Sequence, residues 1–278
     1  MDPYPVTETL MSISTPRRAY ADTPLGQVHY VEQGEGPAIV LMHQTPRSFD
    51  EFREVLPLLA ASHRVLAIDM PGFGLSYEIP APQSIEAIAD GVLAFLDALS
   101  IETTDLLGHH TGGAVAVEVA ARAPHRVRSL LLSSAPWADE AYRDAHAGGP
   151  GVDEADVAHD GSHLTTWWAL RQPYYPAGRP DLLDRFVRDA LAPGVTPAEG
   201  HMACGRYVME DRIGQVVAPT LLIGASDDPF ALPSVAKLAE HLVKAERVEQ
   251  AIIPGGTIPL METKSREVAD AVESFLRS

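Results

Sequence analysis

Asp105-Leu106-Leu107-Gly108-His109-His110-Thr111-Gly112-Gly113 is the stretch whose reading decides the fold. Its apolar start reads as a buried strand, and the small residues from Gly112 to Ala121 read as a helix. Gly108 and Gly112 stand on either side of the break. Glycines at that spacing let a helix pass close over the strand it follows, and they leave the residue between them in a strained turn. That residue is His110.

Upstream of this stretch, Arg18 to Thr23 and Gln27 to Glu32 read as two strands around a turn at Pro24-Leu25-Gly26. Ala38 to Met42 is a continuous apolar run, as in a strand covered on both faces. Phe49 to Ala61 is expected to be an amphipathic helix with Phe52, Val55, Leu56 and Leu59 on one face. His63 to Met70 reads as a strand, and Ser84 to Leu99 as a helix with Ser84 as its N-cap. Downstream, Val127 to Ser133 reads as another buried strand, Pro219 to Ala225 and Val248 to Ile253 as further strands, and Val235 to Val243 and Ser265 to Leu276 as helices. Strands alternating with helices imply an α/β fold with a mostly parallel, doubly wound sheet.

The alternation stops between residues 136 and 217. That segment has its own aromatics, Trp137, Tyr142, Trp167, Trp168, Tyr174 and Tyr175, and the turn-rich run Gly148-Gly149-Pro150-Gly151. It reads as a helical cap inserted into a core made of residues 17–135 and 218–278, with residues 1–16 as a loose leader.

Hydrophobic residues make up 46% of the 278, enough for a sizeable core, and the formal net charge is −17. Nucleic acid and anionic membrane surfaces need basic patches, so neither is expected as a partner. A single cysteine, Cys204, excludes an internal disulfide and a cysteine-rich metal site and fits a reducing, cytoplasmic setting. Met1 to Ser14 carries acidic residues and prolines without an apolar core, and no run is long enough to cross a membrane. Oligomeric state is not legible.

Strand, Gly-x-x-x-Gly turn and small-residue helix are the context of a nucleophile elbow, and in this the chain resembles the α/β-hydrolases with a single domain and a small cap. Other segments carry the same resemblance. His43-Gln44-Thr45-Pro46 stands where that family usually reads His-Gly-x-Pro, and Pro71-Gly72-Phe73-Gly74-Leu75-Ser76 resembles the loop after its fourth strand. The resemblance implies that the Thr45 and Thr111 backbone N–H groups form an oxyanion hole. It implies that Asp227, or failing it Asp228, supplies the acid of a triad, and that Asp69 fixes a loop. It also makes His43 a brace and His109 packing behind the elbow. Gln44 puts a bulky polar side chain where glycine is usual.

Two positions depart from the family. The elbow residue is usually Ser, Cys or Asp, and here it is His110. Pro254-Gly255-Gly256-Thr257-Ile258-Pro259-Leu260-Met261-Glu262 stands where the family reads close to Pro-Gly-x-Gly-His-x-Pro-x-x-Glu, with Thr257 for the histidine. No histidine comes after His241. The expected arrangement is a collapsed dyad. His110 fills part of the volume left by the missing histidine, and a ring nitrogen approaches Asp227, which fixes its tautomer.

Such a dyad suits general-base attack of water on a small, apolar ester, lactone or C–C bond, without a serine acyl-enzyme. Proton abstraction in a cofactor-free lyase, or His110 as a nucleophile, are open variants. The competing class is a catalytically degenerate fold that binds a small molecule. A metal site on His43, His110 and Asp227 lacks supporting ligand spacing, so no metal and no cofactor are expected. Epoxide hydrolases and dehalogenases of the family use an elbow carboxylate, which His110 cannot replace. His43, Gln44, His109, His163, Trp167, Trp168 and Thr257 are the expected pocket residues beside the dyad. His159 and His201 read as surface or packing histidines.

Overall fold

The apolar runs become the middle of one sheet. The computed structural model describes residues 15–146 and 152–278. The run Gly148 to Gly151 and most of the expected leader therefore lie outside the described residues. Among those described, eight strands stand in the order β1-β2-β4-β3-β5-β6-β7-β8. They are β1 (Arg17–Thr23), β2 (Gly26–Gln33), β3 (Ala38–Met42), β4 (Arg64–Ile68), β5 (Thr104–His109), β6 (Val127–Ser133), β7 (Thr220–Ala225) and β8 (Val248–Ile253). β2 pairs antiparallel with both β1 and β4, and the remaining pairs are parallel. This is the α/β sheet that the sequence predicts.

Alternation along each strand divides the core into two layers. Val40, Leu106, Leu130 and Leu222 pack under the helices Ile85–Ala98 and Thr111–Arg122. Ile39, Leu41, Leu107, Leu131, Leu221 and Ile223 face the helix Ser265–Arg277. The parallel strands point one way, so the loops after β3, β5, β7 and β8 meet at one edge. The strand order reverses between β3 and its two neighbours, β4 and β5, and a reversal of this kind opens a crevice at the carboxyl ends of the strands.

The expected helix Phe49 to Ala61 is instead a 3-10 turn, Phe49–Phe52, and a helical turn, Leu56–Leu59. Pro57 has no N–H to donate back, which breaks a continuous helix at this point. The apolar face is nevertheless as expected: Phe52, Val55, Leu56 and Leu59 are buried.

Between β6 and β7 the described chain forms five α-helices: Glu140–His146, Ser162–Arg171, Pro180–Ala190, Glu199–Arg206 and Glu210–Ile213. Trp167, Tyr175, Leu182, Leu183, Phe186 and Ala190 make a separate apolar cluster within them. Polar contacts tie the segment to the sheet domain: Tyr207 Oη donates to Glu118 Oε2 at 2.9 Å, and Gln83 N donates to Glu199 Oε2 at 2.9 Å. No helix among the described residues is long and apolar enough to cross a membrane.

The pass of the helix Thr111–Arg122 over the strands is the tightest constraint. A Cβ at Gly112 would collide with the carbonyl group of Met42 at the end of β3. Gly178, by contrast, has open space around it, and only its φ of +81° opposes a side chain. Gly112→Ala is therefore expected to destabilise the fold by about 2 kcal/mol or more, and Gly178→Ala by about 1 kcal/mol. Denaturant melts of the two variants check the order.

Candidate active site

His110 heads the helix Thr111–Arg122 with φ 47° and ψ −115°. A non-glycine residue held there costs about 1–3 kcal/mol and persists only where its surroundings enforce it. The surroundings do so. Gly108 and Gly112 approach so closely that a Cβ on Gly108 would overlap the Gly112 carbonyl. His110 N donates to Ser133 O at 3.0 Å, and Gly113 N donates to His110 O at 2.8 Å. The ring stands at the sheet edge, its side chain 18% exposed.

The carboxylate that meets this ring belongs to Asp228, not to Asp227. His110 Nε2 lies 3.1 Å from Asp228 Oδ2, and the Asp228 side chain is fully buried. The N–H direction is not aligned with that oxygen, so the contact is a close approach rather than a completed hydrogen bond. Oδ1 accepts from Phe230 N at 3.0 Å and Ala231 N at 3.1 Å. Burial alone would raise the carboxyl pKa. His110 and the two backbone donors outweigh it and hold the group at about 2. Asp227 is exposed, and its Oδ1 accepts from Ser226 Oγ at 2.7 Å. The reason is the turn after β7: Asp227 N donates to Gly256 O and Asp228 N to Ala225 O. That turn points the first acid outward and the second inward.

Three of the expected pocket residues are braces. His43 Nδ1 donates to Gln44 O at 2.7 Å, and its Nε2 accepts from Met70 N at 2.9 Å. Both nitrogens are used, and burial lowers the pKa. Gln44 turns away from the crevice: its backbone N–H donates to Glu51 Oε2 at 2.8 Å, and its side-chain amide donates to Glu51 Oε1. The bulky side chain thus replaces glycine without filling the pocket. His109 donates from Nε2 to Ile258 O and accepts at Nδ1 from Ser133 Oγ, each at 3.1 Å. It is fully buried, and burial pushes its pKa down to about 4. It is therefore a neutral strut beneath His110, ring centroids 4.6 Å apart.

Thr45 and Thr111 are both buried, at the ends of the two strands that flank the crevice. Thr111 opens a helix, so its N–H has no intrahelical acceptor. The hydroxyls of Thr45 and Thr257 are buried without a hydrogen-bond partner. Thr257 comes just after the turn that ends β8, and the next residue's carbonyl is the one that His109 holds.

Beneath the loop after β3 lies a charge cluster that the sequence did not suggest. Arg47 is fully buried. Its Nε donates to Asp189 Oδ2 at 2.9 Å, its Nη1 donates to Glu262 Oε1, and Glu51 Oε1 is 3.9 Å away. Burial raises the Glu262 pKa to about 7, against the pull of Arg47 and with the help of Glu51. The cluster bonds three distant segments: the loop after β3, the helix Pro180–Ala190 and the helical turn Leu260–Thr263.

Two histidines of the insertion, His163 and His201, are each held by neighbours within it. His163 packs edge-on against Trp167, and its Nδ1 accepts from Ala158 N at 3.2 Å. Trp167 is core: its indole N–H donates to Asp153 O at 2.9 Å. Trp168 lines a cleft of about 390 Å³ with Gln172, Tyr175, Arg179 and Leu183, a lining that includes neither His110 nor Asp228. His201, read from sequence as a surface or packing residue, has Asp153 Oδ2 at 3.0 Å and Arg171 Nη2 at 3.2 Å from its Nε2. Asp153, Arg171 and His201 are separated by 18 and 30 positions, so no local motif could have grouped them. Among the described residues, no group of three or more His, Cys, Asp or Glu side chains could hold a metal ion.

Comparison with known proteins gives the family of the fold. Residues 37–262 match the family described as alpha/beta hydrolase fold. The chain is 23% identical over 220 residues to (E)-2-((N-methylformamido)methylene)succinate hydrolase of Acinetobacter baylyi, covering 78% of this chain and 82% of that protein. It is 36% identical over 114 residues to bifunctional epoxide hydrolase 2 of Sus scrofa, which is 40% of this chain and 20% of that enzyme. The chain thus spans about a fifth of the length of the curated epoxide hydrolases it matches. Among solved structures, the enol-lactonase of Burkholderia xenovorans LB400 superposes with a TM-score of 0.73 at 20% identity, covering 94% of this chain and 100% of that one.

The buried cluster has a pH signature. Glu262 moves from its ordinary 4.5 to about 7, so the folded state holds this proton more tightly. The associated stability is present below pH 4.5 and is lost as pH rises through about 7, by at most about 3 kcal/mol. Glu262→Gln keeps the site neutral. Its melting temperature, relative to wild type, is expected to be higher at pH 8 than at pH 5, measured by calorimetry across that range.

Proposed function

Since the chain belongs to the alpha/beta hydrolase fold family, we propose that it hydrolyses a small, apolar carbonyl compound (an ester, a lactone or an activated C–C bond) by general-base chemistry at His110, without a serine acyl-enzyme. The observation that carries this reading is the 3.1 Å approach of His110 Nε2 to the buried Asp228 carboxylate. The carboxylate favours a proton on Nε2 and leaves Nδ1 as the basic nitrogen. Nδ1 takes a proton from water, and the hydroxide attacks the carbonyl carbon. The Thr45 and Thr111 N–H groups face the oxygen that becomes negative. The proton on Nδ1 then passes to the leaving group. Hydrolases among the relatives support the reaction class: one is named for a substituted succinate, and a structural neighbour is an enol-lactonase. Epoxide opening through an enzyme ester is disfavoured because the elbow carries an imidazole and not a carboxylate.

The test is turnover of phenyl butyrate and γ-butyrolactone. His110→Ala is expected to lower kcat by about 100-fold or more, and Asp228→Asn by about 10-fold or more. Asp227→Asn is expected to stay within about two-fold, as for an exposed side chain outside the site. A fluorophosphonate directed at serine is expected to leave wild type active. Equal activity in wild type and His110→Ala contradicts the reading.

A further inference from the structure

A second imidazole–carboxylate pair stands on the helical insertion. The helix Glu199–Arg206 lies directly on the loop and the turn that flank His110. A Cβ at Gly200 would strike the Thr45 side chain, so this helix touches the loop after β3 without a gap. One turn further on, Cys204 is buried where this helix packs on the helix that Thr111, the residue after His110, opens. His201 precedes Cys204 by three positions and shares its helix face. The His110 imidazole is accordingly one of the charges that bear on His201.

The ring of His201 is fixed from behind. Asp153 Oδ2 is 3.0 Å from its Nε2, and the Asp153 side chain is 1% exposed. Arg171 holds that carboxylate through Nε at 2.6 Å and through Nη2. The guanidinium is itself seated 4.9 Å above the Phe186 ring. Arg171 Nη2 also stands 3.2 Å from Nε2 but can only donate. The ring proton therefore goes to Asp153 Oδ2, the nearer group and the one that accepts, and Nδ1 is the nitrogen left to accept. Among the described residues it has no hydrogen-bond partner, and the His201 side chain is 22% exposed. Burial, together with Arg171 and His110, lowers the His201 pKa against the pull of Asp153, so the ring is neutral near pH 7. The remaining ionisable groups on its own helix are engaged elsewhere: Glu199 pairs with Arg206, and the Cys204 thiol is pushed up to about 12 by burial.

We propose that His201 is the second proton acceptor of the site and that it positions the attacking water by accepting its second hydrogen. This rests on His110 being the base. Water then donates one hydrogen to His110 Nδ1 and the other to His201 Nδ1, which aims an oxygen lone pair at the carbonyl carbon. On attack the O–H bond to the first hydrogen breaks, a C–O bond forms, and the carbonyl pair moves to oxygen. On collapse the bond to the leaving group breaks, and that group takes its proton from His110. The second hydrogen stays on the new acid until His201 accepts it and passes it to solvent. Water and ester thereby become carboxylate, alcohol and one released proton. His201 thus does not take over the place left by Thr257 but adds a contact that only a nucleophile with two hydrogens can satisfy.

Nucleophile choice tests this. Phenyl butyrate is turned over in buffer with a fixed fraction of methanol, and butyrate and methyl butyrate are both quantified. Methanol has one O–H and cannot serve both imidazoles. Wild type is expected to form butyrate in about ten-fold excess over the ratio of the two nucleophiles in solution, the value of one hydrogen bond. His201→Ala is expected to bring the product ratio to the solution ratio and to lower kcat about ten-fold or more with KM within about two-fold. A bracing role for His201 would leave the ratio unchanged. Wild type that already matches the solution ratio overturns the proposal, and this arm does not depend on the variant folding. If His110→Ala abolishes turnover while the ratio stays the same in His201→Ala, only the His201 assignment fails. If wild type does not turn over phenyl butyrate, both readings fail.

Discussion

The backbone contact between Gly112 and the Met42 carbonyl sets the geometry of the whole active-site edge. It exists because neither partner carries a side chain into the gap. It brings the elbow helix over the ends of β3 and β5 and forces His110 to a φ of 47°. A residue so placed cannot relax into the helix or into the strand. Its ring therefore projects at the crevice where the sheet order reverses. The loop after β7 delivers Asp228 to the same place, and the insertion delivers the helix Glu199–Arg206.

Four imidazoles crowd this region, and hydrogen-bond accounting sorts them. His43 and His109 have both nitrogens committed to the protein, are buried, and are held neutral. They fix loops. His110 and His201 each turn one nitrogen to a buried carboxylate and keep some exposure. Only the latter two have a nitrogen left for chemistry. The carboxylates differ in what fixes them, since Asp228 is held by backbone N–H groups and Asp153 by Arg171. The Arg47 cluster supports the arrangement from below, because Arg47 joins the loop carrying His43 and Thr45 to Asp189 of the insertion.

The middle of the sheet was legible because β3, β5, β6 and β7 are buried on both faces. Val127–Ser133 has the bounds read from its apolar run, and Val248–Ile253 has the bounds read from sequence although Glu249, Gln250 and Ile252 are exposed. The elbow was legible because a backbone contact demands glycine at fixed spacing. The helix from Phe49 was misread because its apolar spacing survives across the break that Pro57 imposes. Asp227 and Asp228 could not be told apart, since a turn of one residue's pitch decides which points inward. Gln44 looked like an intrusion until Glu51, seven residues on, took up its amide. His201 left no local trace: its partners are 30 and 48 residues away, and only the folded insertion assembles them. The family resemblance pointed to His110, Thr257 and Asp227 with Asp228 as the fallback, and it is the fallback that the fold brings to His110.

The central claim is that Asp228 orients His110 so that Nδ1 is its basic nitrogen. The ring nitrogens can be read directly by 15N chemical shifts of histidine-labelled protein at neutral pH, with His110 assigned by its loss in His110→Ala. The account predicts a protonated Nε2 and an unprotonated Nδ1 in wild type, and a change in that tautomer balance in Asp228→Asn, where an amide replaces the carboxylate. An Nδ1-protonated ring in wild type, or shifts that do not respond to Asp228→Asn, would contradict it.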